Sequence, residues 1–196
     1  MPKPSLREAI LDAGLKAMFR TGYHGTSVRD VTAAAGAPQG SFTNHFRSKE
    51  LFASEVLDRY FAHTRSLVAQ ALDDTSLTPR MRLRRYLDII TERLEADRFL
   101  RGCLIGDLSL ETSTSSELLR ARLSEIFQEW RGPFTACITE GQKAGEIASD
   151  FEPEELAEFL LASWQGAMLR MKVERGQAPL ERFKTIVFQT VFKELS

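Results

Sequence analysis

Cysteine is nearly absent from the chain: 196 residues hold two, Cys103 and Cys137, and neither sits in a Cys-x-x-Cys pair. That excludes a disulfide framework and a zinc knuckle. The three histidines, His24, His45 and His63, show no metal-ligand spacing, so no metal is expected. No apolar run approaches the roughly 20 residues that a membrane span needs. The first five residues, Met1 to Ser5, lack the apolar stretch and small-residue cleavage site of a secretion signal, so the expected location is the cytoplasm. Neither sign of charge dominates, with 26 Lys/Arg against 27 Asp/Glu and a net charge of −1. A sequence-tolerant architectural DNA binder, one class to weigh, should be far more basic. A small helical enzyme or metal-carboxylate bundle is another, but no Glu-x-x-His pair follows His63. Walker loop, nucleophile elbow and zinc motif are missing too, and the expectation is a non-enzyme without a cofactor.

What is present is ordinary globular composition, 43% hydrophobic and 27% charged, in a length suited to one domain or a small one fused to a larger. Charge is unevenly spread. Residues 1–50 carry seven basic side chains (Lys3, Arg7, Lys16, Arg20, Arg29, Arg47, Lys49) against four acids, a surplus of three, which leaves the other 146 residues at −4. A basic head on an acidic body suits a polyanion met through one end.

Almost every segment has helical periodicity, and Gly and Pro mostly punctuate between segments. The first runs from Ser5 to Thr21, with a capping-box pattern from Ser5 to Glu8 and an end at Gly22. The second starts at Ser27, capped through Asp30, buries Val28, Val31, Ala34 and Ala35, and ends at Gly36. Pro38 opens a third, Gln39 to about His45, and Ser48 caps a fourth reaching about Leu72. Further helices are predicted over 79–97, 103–110, 116–144, 153–174 and 180–194, with Gly132-Pro133 expected to kink or divide its segment. The fold class is all-α, about nine helices.

Residues 27–46 have the form of a helix-turn-helix: two short helices joined by a tight turn containing Gly36. Ala33, Ala34 and Ala35 are small enough for close helix approach. Phe42 and Phe46, four apart, anchor the second helix, which leaves Gln39, Gly40, Ser41, Thr43, Asn44 and His45 facing outward.

The run from Ile10 to Phe52 resembles the N-terminal domain of TetR-type regulators. The resemblance rests on Gly22-Tyr23, Thr26-Ser27-Val28, Ala34-Ala35-Gly36, Gly40-Ser41-Phe42, His45-Phe46 and Ser48-Lys49-Glu50-Leu51-Phe52. It covers about a quarter of the chain, with its motifs in order and at the family's spacing. It implies a DNA-binding homodimer, usually a repressor released by an effector, with residues 1–50 as the DNA-binding domain and 51–196 as the ligand-binding and dimerisation domain. The implied DNA-contact set is Thr26 and Ser27, Pro38 to His45 as the recognition segment, and Lys49 on a phosphate. Two positions depart from the family: Gln39 stands where Lys is frequent and Thr43 where Tyr is common. Both losses remove phosphate partners, while Gln39 and Asn44 bring amides that can read adenine bidentately.

The segment 153–174 carries an apolar stripe of Leu156, Phe159, Leu160, Ser163, Trp164, Ala167, Met168 and Met171, and the last segment adds Phe183, Ile186, Val187, Thr190, Val191 and Phe192. Such stripes suit core as well as interface. The resemblance implies that these two helices pair with a second copy, placing Leu156, Phe159, Leu160, Ser163, Ala167, Met171, Phe183, Ile186, Val187 and Thr190 at a dimer interface. Trp130, Trp164, Phe127, Phe134 and Met168 fit either core or the lining of an apolar ligand pocket. Gly102-Cys103-Leu104, with Asp107 just beyond, resembles a subgroup of the family in which a cysteine senses electrophiles or oxidants. A thiol near Arg98 and Arg101 at a helix start is in surroundings that favour thiolate, although an isolated Cys also serves as a small hydrophobe.

Overall fold

A computed structural model describes residues 5–193, and among them nine α-helices and no strand occur. Lys3, counted in the basic head, and the expected end of the last helix at residue 194 lie outside the described residues. The helices are α1 (Leu6–Gly25), α2 (Val28–Ala34), α3 (Ser41–His45), α4 (Lys49–Leu72), α5 (Pro79–Ala96), α6 (Leu104–Thr112), α7 (Glu117–Lys143), α8 (Pro153–Glu174) and α9 (Ala178–Gln189). No helix among the described residues is long and apolar enough to cross a membrane. Packing divides the chain into two compact units, one holding the residues up to His63 with Leu104–Ile126, the other Thr64–Cys103 with the chain from Phe127 onward. Both α4 and α7 run from one unit into the other.

The first unit is built on helix caps. The Ser5 hydroxyl accepts from the Glu8 amide at 3.3 Å, but the Glu8 carboxylate turns to Arg59 on α4 instead of closing the capping box. Arg59 also holds Asp12, and Arg7 holds Glu55, so ion pairs fasten α1 along α4. Between them lies an apolar seam of Ile10, Leu11, Met18, Phe52, Val56 and Leu57. Gly22 does not end α1 as the sequence suggests. It sits at φ +70° as a kink, and one further turn reaches Gly25.

α2 keeps the Ser27 cap, with the Asp30 amide donating to Ser27 Oγ at 3.1 Å, but the Asp30 carboxylate accepts from that hydroxyl at 2.6 Å and not from the Ser27 backbone N–H that a full capping box would use. Its end is a Schellman turn around Gly36 (φ +63°), with Ala37 N–H to Thr32 O at 2.9 Å and Gly36 N–H to Ala33 O at 3.1 Å. The buried stripe differs from the expected one. Val31 and Thr32 are buried, Val28 and Ala35 half-buried, and Ala33 and Ala34 exposed. Thr32 tolerates burial because its hydroxyl donates to the Val28 and Arg29 carbonyls.

In the second unit, α5 starts at a Thr78 cap and Pro79, and α8 pairs with α9. Arg82 is buried, but its guanidinium donates to the Leu72 carbonyl at 2.9 Å and meets Glu140 at 2.5 Å. Lys184, also buried, is held by Asp88 at 2.8 Å and Glu181 at 2.6 Å. These pairs fit the rule that buried charge must be matched. α7 runs undivided through Pro133, so of the two expected outcomes, a kink or a division, the division does not occur. Proline removes one ladder hydrogen bond, and the buried stripe of Trp130, Phe134, Cys137 and Ile138 keeps the helix docked on both sides of it. The last helix starts two residues earlier than expected, at Ala178, and stops at Gln189.

Candidate nucleic-acid interface

α2 and α3 have seven and five residues, too short to persist alone, so their geometry comes from what they rest on. Phe42, Phe46 and Phe52 form a triangle of rings with centroids 5.2, 5.1 and 4.8 Å apart, all three buried. The Arg7 guanidinium covers Phe46 from 5.3 Å. With the aromatic face of α3 turned inward, Thr43, Asn44 and His45 are exposed and Ser41 is half-buried. α3 is shorter than the sequence suggests: Gln39 and Gly40 lie in the turn before it, closed by Ser41 N–H to Pro38 O at 2.9 Å. Pro38, Gln39 and Gly40 are nonetheless exposed beside the helix, so the recognition segment forms one polar surface.

The remaining contact candidates divide. Ser27 is exposed at the start of α2. Thr26 is 3% exposed, and its hydroxyl donates to the Gly22 carbonyl at 2.6 Å, so it braces the α1 kink from inside and leaves the surface set. Lys49 opens α4 directly after the Ser48 cap, whose hydroxyl accepts from the Leu51 amide at 3.1 Å. Its ammonium lies 4.5 Å from the Tyr23 ring centroid. Partial burial pulls it below the usual lysine range, and the nearby Glu111 charge opposes that shift. Thr43 spends its proton on the Gly40 carbonyl at 3.0 Å. Sequence reasoning missed Arg29 and Arg47 as contact candidates. Both are exposed on the same short stretch, and neither is in an ion pair among the described residues. Their signal was the charge surplus of the head, which the motif alone does not assign to positions.

The body candidates are likewise redistributed. On α8, Leu156, Leu160 and Met171 are buried inside the chain, so they are core and not the free face expected of them. They are centred about a quarter of a turn away from Phe159, Ser163, Gly166 and Arg170, because the apolar stripe is wide enough to serve two sides. Phe159, Ser163, Ala167, Phe183, Ile186, Val187 and Thr190 line one open groove of about 360 Å³ on α8 and α9. Phe159 is 48% and Ile186 55% exposed there.

Trp130, Phe134, Trp164 and Met168 are buried, whereas Phe127 is exposed and Asp107 half-buried. Trp130 and Phe134 gather around Tyr86, which the sequence did not single out. The Phe134 ring meets it edge-on at 4.9 Å, and burial raises its phenol well above the ordinary range, with Cys103 close by. The Trp130 indole N–H lies within reach of that hydroxyl without closing a hydrogen bond of ordinary geometry. Trp164 is elsewhere, 5.5 Å from the Phe183 ring, and its indole N–H has no acceptor. Cys103 is buried immediately before α6. Cys137 is buried too, its thiol donating to the Pro79 carbonyl at 3.4 Å and pushed up to about 11, mainly by burial.

A capped helix-turn-helix that buries its aromatic residues and exposes a polar second helix beside unpaired cations defines a DNA-binding regulator. Comparison with known proteins gives the same class. Residues 10–56 match the pattern described as "Bacterial regulatory proteins, tetR family", and residues 79–187 that of "Tetracyclin repressor-like, C-terminal domain". The chain is 44% identical over 191 residues to the HTH-type transcriptional repressor DhaR of Mycobacterium sp. (strain GP1), covering 97% of this chain and 94% of that protein. A crystal structure of regulatory protein TetR from Rhodobacter sphaeroides superposes with a TM-score of 0.89 at 32% identity, covering 95% of this chain and 98% of that one. Escherichia coli NemR in its reduced form superposes at 0.86 with 26% identity, covering 98% and 100%. The chain belongs to the TetR family of transcriptional regulators.

Proposed function

We propose that the protein is a homodimeric repressor that grips a near-palindromic operator through the exposed segment Pro38–His45 and leaves it when an effector acts on the body. The observation that carries this reading is the polar face of the helix-turn-helix, held by three buried phenylalanines and flanked by Arg29, Arg47 and Lys49. Gln39 and Asn44 read base edges. The three cations hold phosphates and replace the grip forgone at positions 39 and 43. Residues 1–50 carry DNA contact, and residues 51–196 carry pairing and effector response. The protein works in the cytoplasm, on double-stranded DNA.

Pairing uses the groove of α8 and α9, whose Phe159, Phe183 and Ile186 leave apolar surface in water that a second copy covers. A twofold dimer presents two recognition segments to half-sites about 34–36 Å apart. The effector is a small molecule or a thiol-reactive compound acting on the second unit. Two buried indole N–H groups, on Trp130 and Trp164, leave hydrogen-bonding capacity that a bound molecule can use. Cys103 is the candidate for thiol chemistry, and the Escherichia coli relative's structure is described as a reduced form. α6, which starts beside Cys103, and α4, which joins both units, transmit the change. A coupling of about 1–3 kcal/mol shifts operator affinity roughly five- to 150-fold.

Footprinting on the DNA flanking the protein's own gene tests the reading. Two protected half-sites one helical turn apart, occupied by two protomers, are expected. Continuous, sequence-independent protection would point to an architectural binder instead.

A further inference from the structure

Glu111, the second-last residue of α6, reaches the kinked end of α1, 87 residues away in the chain. The His24 amide donates to Glu111 Oε2 at 3.1 Å, and the His24 ring Nε2 lies 3.1 Å from the Glu111 backbone carbonyl. The carboxylate lies against Gly22, where a Cβ would overlap Glu111 Oε1 in its present position. Between these two anchor points sits Tyr23, and the Tyr23 ring carries the Lys49 ammonium on its face. One short turn of α1 therefore holds a fixed carboxylate and the cation assigned to a DNA phosphate. Glu111 and a DNA phosphate are thus rival negative charges for the same ammonium.

We propose that Glu111 is a positioning residue for DNA binding, whose charge, seated on the Gly22–His24 turn, restrains Lys49 and limits how tightly it holds a phosphate. This rests on the reading of Lys49 as a phosphate contact. The Lys49 shift is downward and set first by burial; Glu111 opposes it, acting on the ammonium as a stabilising negative charge. A mere brace would need only an oxygen that accepts from His24, and glutamine supplies one. A restraint needs the charge. The two roles are therefore separable by Glu111→Gln.

The test uses full-length protein and a random-sequence duplex, with affinity read by fluorescence anisotropy at low and high salt. E111Q is expected to bind about two- to fivefold tighter at low salt, the size of a partly exposed charge interaction, and to lose that gain at high salt. K49A is expected to bind more weakly, and adding E111Q to it should change nothing. A K49A protein that binds like the parent defeats the phosphate reading of Lys49, and the proposal with it. If K49A weakens binding but E111Q does not tighten it, or if the gain persists without Lys49, the restraint is overturned while the phosphate reading stands. E111A, which also removes the acceptor, should speed amide exchange at His24 where E111Q does not. Equal exchange in both variants would remove the seat on which the proposal depends.

Discussion

The helix-turn-helix and the α8–α9 pair turn opposite kinds of side chain toward solvent. In the head, Phe42, Phe46 and Phe52 are consumed inside, and what is left outside is Gln39, Thr43, Asn44, His45, Arg29 and Arg47, with Lys49 half-buried beside them. On α8 and α9, Phe159, Leu169, Val173 and Ile186 are between 48% and 73% exposed. The contrast follows from helix length. A helix of five or seven residues has no apolar face to spare after it is anchored. A 22-residue helix can bury Leu156, Leu160 and Trp164 against its own chain and still offer a second apolar edge. Polar surface held on a rigid base suits reading DNA, and apolar surface left in water suits pairing.

The strongest way to break this comparison is to remove the base under the polar face. Phe46→Ala should cost about 3–5 kcal/mol in thermal or denaturant unfolding and abolish operator binding, since it opens the ring triangle. A loss near zero would mean that the triangle does not hold α3. On the other side, Ile186→Glu should turn a dimer into a monomer in sedimentation while leaving helicity intact, because the residue is exposed within the chain. Unfolding instead of dissociation would make that face core. Within the head, Gln39→Ala should cost about 1–3 kcal/mol on specific sites alone, whereas Lys49→Ala should weaken all DNA and lower the salt slope by about one. Equal losses on specific and random DNA for both variants would erase the division between amide readout and phosphate grip. The smallest expected effect concerns Cys137, which should resist alkylation in the folded protein until the pH nears its value of about 11. Ready labelling at neutral pH would show that its burial is not maintained.

Much of the head was legible because its signals are local. The Ser27 cap on the Asp30 amide, the Gly36 turn and the Ser48 cap each involve residues three to five apart, and each appears in place. Periodicity failed within α2, where seven residues give too few turns to choose between Thr32 and Ala34 for the buried side. Thr26 was misassigned because its inward hydrogen bond depends on the α1 kink at Gly22, which continues the helix where a stop was expected. Glu111 could not be seen at all, since nothing in α6 names a partner 87 residues upstream. In the body, the apolar stripe of α8 was plain, but a stripe does not say which of its edges faces its own chain. Tyr86 lies in an arginine-rich segment where it reads as an ordinary amphipathic position, and its burial comes from α7.

The most direct test of the account is a gel shift of the full-length protein on DNA flanking its own gene, at two salt concentrations and with random competitor. Retention of a discrete complex at moderate salt, with excess random duplex unable to displace it, is the predicted result. Competition by random DNA as effective as by the flanking fragment, or binding to no fragment at all, would contradict it.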